Sequence, residues 1–277
     1  MQIIELFEYS FFVNALIGVA LISISAAIIG TYIISRRLVA ISGGVTHACF
    51  GGLGLGYFLG INPVVMAAVF AVVSSAGVEW LSSRCNVRED SAIAVVWSLG
   101  MAVGVLFVFL TPGYVPELNS FLFGNILTIS TGDLLLFGAY TAVLVAFFAL
   151  HYRQIIACAF DRDFAATRGL PVKFTSYAMT VLVAVCIVLT IRLVGIMLLM
   201  SVFSLPMMTA EIFSQRYSRM TLISVGIALI AGISGLMLGT IVDVPCSAII
   251  VIILAVIFVA SRVLKAVFGN VRQPVRE

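Results

Sequence analysis

Apolar residues run along this chain in blocks of about 20, each closed by a short cluster of charge or by a glycine or proline break. A block of that length is what an α-helix needs to cross the hydrocarbon core of a bilayer. The pattern predicts crossing helices near 11–35, 43–60, 63–82, 91–110, 132–151, 174–191, 193–213, 220–240 and 245–264, an all-α polytopic membrane protein of eight or nine spans. One further apolar piece, "NSFLFGNILTIS" at 119–130, is too polar and too short to cross, and reads as a re-entrant or interfacial segment. The whole of 1–277 forms one transmembrane domain, whose longest polar connection is 152–173.

Charge gives the orientation. Of fifteen Lys and Arg, all but Arg192 fall in alternate loops or in the C-terminal tail. Cytoplasmic loops collect basic residues, so these loops and the C-terminus are expected in the cytoplasm. The N-terminus carries Glu5 and Glu8 without a positive charge and is expected outside, a parity that nine spans satisfy. It also lacks a basic n-region, so the first block reads as a retained span rather than a cleaved signal peptide.

Composition agrees: 62% of residues are hydrophobic, 10% are charged, and the mean hydropathy is +1.23. The net charge of +3 is therefore a topology signal and says nothing for nucleic acid. The five cysteines, at 49, 85, 158, 186 and 246, are scattered and odd in number, which supports neither a disulfide framework nor a C-x-x-C metal site.

Charge inside a span is costly and usually marks function. The candidates are His47, Glu79, Glu211, Asp133 and Asp243. Glu79 and Glu211 lie at basic span ends, where pairing with Arg84 and Arg216 is the plain expectation, and Asp133 suits the first turn of its helix. His47 sits in "ISGGVTHACFGGLGLGYFLG" at 41–60, which holds seven glycines. "GGLGLG" lacks the spacing of a phosphate-binding loop. Instead Gly44, Ala48, Gly52 and Gly56 recur every fourth residue, a small-residue stripe that lets a neighbouring helix approach closely. His47 lies at the edge of this stripe and faces other helices. It reads either as a hydrogen-bonding packing residue or as a metal or proton site. Its own helix offers no second ligand, since Gly43, Gly44, Phe50 and Gly51 occupy the flanking positions. Weak, shared ligation suits a path that an ion must leave.

Two later segments stand out. Pro206 lies deep in the apolar run 192–213, flanked by Ser201, Ser204 and Thr209, and predicts a kinked helix of the kind that lines pathways. Asp243 and Cys246 fall in a tight turn before the last span, where Asp243 either caps a helix or guides a cation. No G-x-x-x-x-G-K-[ST] occurs, and no array of buried carboxylates suggests ion coupling. The connection 152–173 contains "DRDFAATRG", a short helix opened by Asp161 or Asp163 and closed by Gly169, a candidate docking element for a cytoplasmic partner.

Taken together, "SRRL" followed by "THACFGGLGLG", then "REDSAIAVVWSLGMAVG", "LNSFLFGNIL", "DRDFAATRGL", "RLVGIMLLMSVFSLPMMTA" and "DVPCSAIIV" resemble, in order and spacing, the permease subunit of the bacterial zinc, manganese and iron ABC importer family. The resemblance implies a homodimer in the bacterial plasma membrane, a cytoplasmic ATP-binding subunit and an extracytoplasmic metal-binding protein. It implies no permanently bound cofactor, the transported metal being the substrate and ATP residing on the partner. The ATPase-contacting segment of similar permeases matches Asp161, Arg162, Asp163, Phe164 and Gly169. Their cation path uses an Asp-x-x-x-His pair whose histidine matches His47, but the Asp position falls on Gly43. Losing that oxygen ligand disfavours manganese more than zinc or iron. A secondary carrier driven by an ion gradient and a permease for a metal chelate are the competing readings. An intramembrane enzyme is disfavoured, because no catalytic pair at hydrogen-bonding spacing and no H-E-x-x-H occur.

Overall fold

The computed structural model describes residues 8–36, 38–85, 87–112 and 124–269. Ten α-helices lie among them: α1 (Ser10–Ser35), α2 (Val39–Leu59), α3 (Pro63–Cys85), α4 (Glu89–Leu110), α5 (Thr131–Leu150), α6 (Tyr152–Phe160), α7 (Arg162–Thr167), α8 (Val172–Phe213), α9 (Tyr217–Val242) and α10 (Cys246–Gly269). Eight of these are long and apolar enough to cross a membrane. The protein is an all-α, multi-pass membrane protein.

The largest of the eight, α8, has 42 residues and would reach about 63 Å if straight, twice the hydrocarbon thickness. It is not straight. Gly195 stands at φ 78° and ψ 173°, a conformation that essentially only glycine adopts. Contacts with α1 show how the chain turns there. Ser176, early in α8, meets Arg36 at one end of α1, and Met207, late in α8, accepts a hydrogen bond from Thr31 near that same end. Val194 and Leu198, on either side of Gly195, instead lie beside Val19. The two limbs of α8 therefore run in opposite directions, and the eight helices supply nine apolar segments.

The hydropathy pattern places the boundary between these segments at Arg192, the one charged residue between Lys173 and Glu211. Arg192 stays helical and pairs with Asp133 at 2.8 Å; the turn comes three residues later, where a glycine can make it. Pro206, expected to mark the kink, keeps helical backbone, and Gly195 is the residue of α8 that leaves it.

The 3-10 turn Ile126–Thr128 explains what braces this bend. Ile126 and Ile129 are buried, and Asn14 of α1 donates a side-chain hydrogen bond to the Ile129 carbonyl at 3.3 Å. Gly124, at φ 57°, lies so close to the Val194 carbonyl that a Cβ would collide with it. The segment thus tucks in beside α1 at the Gly195 bend; positions 119–123 of the expected re-entrant or interfacial piece lie outside the described residues.

Burial does not follow hydropathy. α2 has the lowest hydropathy of the eight, 1.2, yet 78% of its apolar window is buried, against 17% for α4 at 2.5. A helix facing lipid must be apolar, whereas one enclosed by protein need only pack. Glycine provides that packing. Gly51 and Gly54 sit against the Gly100 and Gly104 carbonyls of α4, and Gly52 sits against Met66 and Ala67 of α3, each too close for a side chain.

Candidate functional site

At the middle of this packing, the His47 ring stacks on Trp97 of α4, with centroids 4.7 Å apart and planes 6° from parallel. Neither ring nitrogen of His47 has a hydrogen-bond partner among the described residues. One turn earlier, a Cβ at Gly43 would lie 3.0 Å from the Met200 methyl of α8, a tight approach, and 3.7 Å from the Trp97 ring, an ordinary contact. The site is open on one side: Trp97 is 38% exposed, and His47 is half-buried. It thus stacks an imidazole on an indole, with the Met200 methyl one turn away, on a face that this single chain leaves uncovered.

The four-residue stripe divides between two neighbours. Gly44 and Ala48 meet Ile93 and Gly100 of α4, while Gly52 and Gly56 meet Met66 and Pro63 at the start of α3. Positions four apart drift by about 40° per step around a helix of 3.6 residues per turn, so the stripe winds from one neighbour to the next.

The polar residues at the basic end are arranged differently from expectation. Glu79 pairs with Arg162 of α7 and Arg36 beyond α1, not with Arg84. Arg162 Nη2 donates to Glu79 Oε1 at 2.8 Å and Oε2 at 3.1 Å, and to Ser176 Oγ at 2.6 Å. Ser176 in turn donates to Glu79 Oε1 at 2.9 Å. Arg36 donates to Glu89 Oε1 at 2.8 Å and to the Tyr32 hydroxyl at 3.0 Å, and lies 3.7 Å from Glu79 Oε2. Arg162 Nη1 closes the ring 3.6 Å from Glu89. The Arg36 and Glu79 side chains are 5% and 9% exposed. Two positive and two negative charges therefore balance where an unpaired charge would be heavily penalised. Glu211 makes no ion pair among the described residues and faces an open cavity with Ser35, Arg36 and Gln215.

Asp161 caps α7, accepting a hydrogen bond from the Phe164 amide at 2.9 Å. Gly169, at φ 72°, ends the element as the Leu170 amide returns to the Ala165 carbonyl at 3.1 Å. Ala165 is fully buried, while Phe164 is 54% exposed with the Arg168 guanidinium 5.3 Å above its ring. Asp163 also faces out; Arg162 turns inward. At the opposite end of the bundle, Asp243 adopts the left-handed conformation that closes α9. It lines a cavity of about 440 Å³ with Asn125, Thr240 and Cys246. Pro206 is buried; Ser204 and Thr209 spend their hydroxyls on the Met200 and Leu205 carbonyls of their own helix.

Residues 8–265 match the ABC 3 transport family. The chain belongs to that family. Relatives of this ABC 3 family chain include a Chlamydia pneumoniae protein named "Probable metal transport system membrane protein", 32% identical over 88% of this chain and 85% of its own. The Listeria monocytogenes manganese transport system membrane protein MntC is 27% identical over 91% of this chain and 90% of its own. Among solved structures, PsaBC from Streptococcus pneumoniae in complex with Fab superposes with a TM-score of 0.81 at 25% identity, covering 94% of this chain and 95% of that one.

Sequence reasoning missed Trp97, Met200 and the cluster around Arg36. Trp97 had a signal, being one of two tryptophans and lying in a span. Met200 and Arg36 had none, since only the fold brings residues so far apart in the chain into contact.

Proposed function

We propose that this chain is the membrane permease subunit of an ATP-driven importer of a divalent transition metal, with zinc or ferrous iron as the favoured cargo. The observation that carries the reading is His47. It lies on the most enclosed of the apolar helices, stacked on Trp97, with neither ring nitrogen hydrogen-bonded among the described residues. A packing histidine spends those nitrogens on hydrogen bonds; a transient metal ligand keeps one free. Membership of the ABC 3 transport family and the printed names of the relatives support a metal cargo.

The preference follows from what surrounds the imidazole. Position 43 offers no carboxylate, and the Met200 methyl borders it. A nitrogen donor with no carboxylate beside it suits zinc or ferrous iron better than manganese, which prefers oxygen. The open face at Trp97 suits a pathway lined from both sides, with a second copy of the chain supplying the other wall.

ATP is hydrolysed on a separate cytoplasmic subunit, since this sequence carries no P-loop. The basic end lies in the cytoplasm of the bacterial plasma membrane. There the outward side chains of Asp163, Phe164 and Arg168 form the docking surface, its shape held by Asp161 and Gly169. A metal-binding protein delivers cargo at the opposite end, beside the cavity that Asp243 lines.

The test is the total zinc, manganese and iron content of metal-starved cells lacking this chain. They are complemented with the wild-type chain beside either an active or a hydrolysis-deficient ATPase. Zinc or iron returns only with the active ATPase. A metal restored equally by both identifies a gradient-driven carrier instead. Restoration of none of the three points to a chelate or another solute.

A further inference from the structure

The cluster formed by Arg36, Glu79, Glu89, Arg162 and Ser176 lies inward of the side chains proposed for docking, and His47 is not among the partners of its members. It nevertheless joins five parts of the molecule: the end of α1, α3, the first turn of α4, α7 and the start of α8. Arg162 is its one member on the short helix whose outer face is free. From the permease reading we infer that Arg162 is a positioning residue, the joint through which movement of α7 is passed to the transport pathway.

The geometry gives the route. Arg162 grips Glu79 through both carboxylate oxygens and Ser176 through the same nitrogen, which fixes α7 to α3 and α8. Its other nitrogen lies 3.6 Å from Glu89, whose carboxylate also receives Arg36. Glu89 opens α4, and Trp97 follows eight residues along that same rigid helix, about 12 Å away, stacked on His47. Ile93, midway between them, abuts Gly44 of α2. A displacement of α4 by its first turn therefore moves the indole over the imidazole.

Such a cluster behaves as a unit. Withdrawing Arg162 leaves Arg36 alone facing two carboxylates, an unbalanced charge next to the buried Glu79, so intermediate arrangements are penalised and two discrete states are favoured. A cavity of about 380 Å³ opens beside it, lined by Glu79, Arg84, Arg162, Lys173, Ser176 and Tyr177, so the cluster has space on the Arg162 side. Arg162 is also the more exposed arginine, at 30% against 5% for Arg36, as befits the movable member of the pair.

The experiment uses the full complex of permease, ATPase and metal-binding protein in proteoliposomes, with zinc, manganese and ferrous iron each supplied as the free ion. The ratio of metal moved to ATP hydrolysed is read for wild type, Arg162→Gln, Arg162→Lys and Glu89→Gln. A wild-type complex that moves none of the three ions defeats the importer reading itself, and the inference with it. Given a working wild type, Arg162→Gln is expected to keep its ATPase bound and hydrolysing while the ratio falls about tenfold, a usual size for coupling between sites. Arg162→Lys recovers part of the loss, because it keeps the charge. Should Arg162→Gln fail to reach the membrane, Glu89→Gln decides: it leaves α7 intact, removes the charge through which Arg162 and Arg36 both hold α4, and lowers the ratio in the same way. An unchanged ratio in whichever variant is measured overturns the inference. So does release of the ATPase by Arg162→Gln, which makes Arg162 a docking contact, or a lysine variant no better than glutamine.

Discussion

At the scale of single residues, the site turns on what stands one helical turn before His47. A carboxylate four residues from an imidazole would share its ion, and Gly43 denies the site that oxygen. The methyl end of Met200 closes in on that position, 3.0 Å from where a Cβ would stand. Because that methyl ends a flexible side chain, an aspartate at 43 has room once Met200 turns aside. Gly43→Asp is therefore expected to insert normally and to raise the ratio of manganese to zinc uptake about tenfold, equivalent to ~1.4 kcal/mol of altered preference. An unchanged ratio removes position 43 from the determinants of selectivity. The stack of His47 on Trp97 contributes about 0.5–1.5 kcal/mol beyond the area it buries, enough to hold the ring in place without using its nitrogens.

At the scale of helices, glycine decides two things that hydropathy does not. It lets α2 lie within a side chain's width of α3 and α4, and it folds α8 into two limbs at Gly195. Gly195→Ala forces a methyl-bearing residue into a glycine-only conformation at a cost of about 1–3 kcal/mol, so the apparent Tm in detergent should drop. Gly226→Ala is the control. That glycine sits in regular helix with open space around its Cα, so alanine there should be neutral or stabilising, by up to about 1 kcal/mol. Equal Tm values for the two variants would show that the Gly195 backbone is not strained. These cases mark how far the sequence could be read. Existence and type of the crossing helices were legible, because each needs about 20 apolar residues whatever its neighbours. The small-residue stripe was legible too, as a matter of spacing. The partners were not: nothing local ties Glu79 to Arg162 or Gly43 to Met200, and the nearby Arg84 made a better guess for Glu79 than the distant arginine that pairs with it. The turn of α8 was misplaced for a related reason. Polarity drew attention to Arg192, whereas the backbone needed a glycine.

For the whole molecule, function depends on a division between two ends and a middle. The basic end gathers its buried charge into one cluster linked to α7, the opposite end holds the cavity beside Asp243, and His47 lies along the enclosed helix between them. The family, the fold and the arrangement fit a permease whose energy comes from another chain. The central claim is that the cargo passes His47. Its most direct test is zinc uptake by cells or proteoliposomes carrying wild type or His47→Ala, each checked for equal membrane level and equal bound ATPase. Loss of this imidazole should cut uptake by about tenfold or more, the scale on which metal sites respond to loss of a supporting group. Uptake equal to wild type would contradict the account and leave His47 as a residue that packs against Trp97 and nothing more.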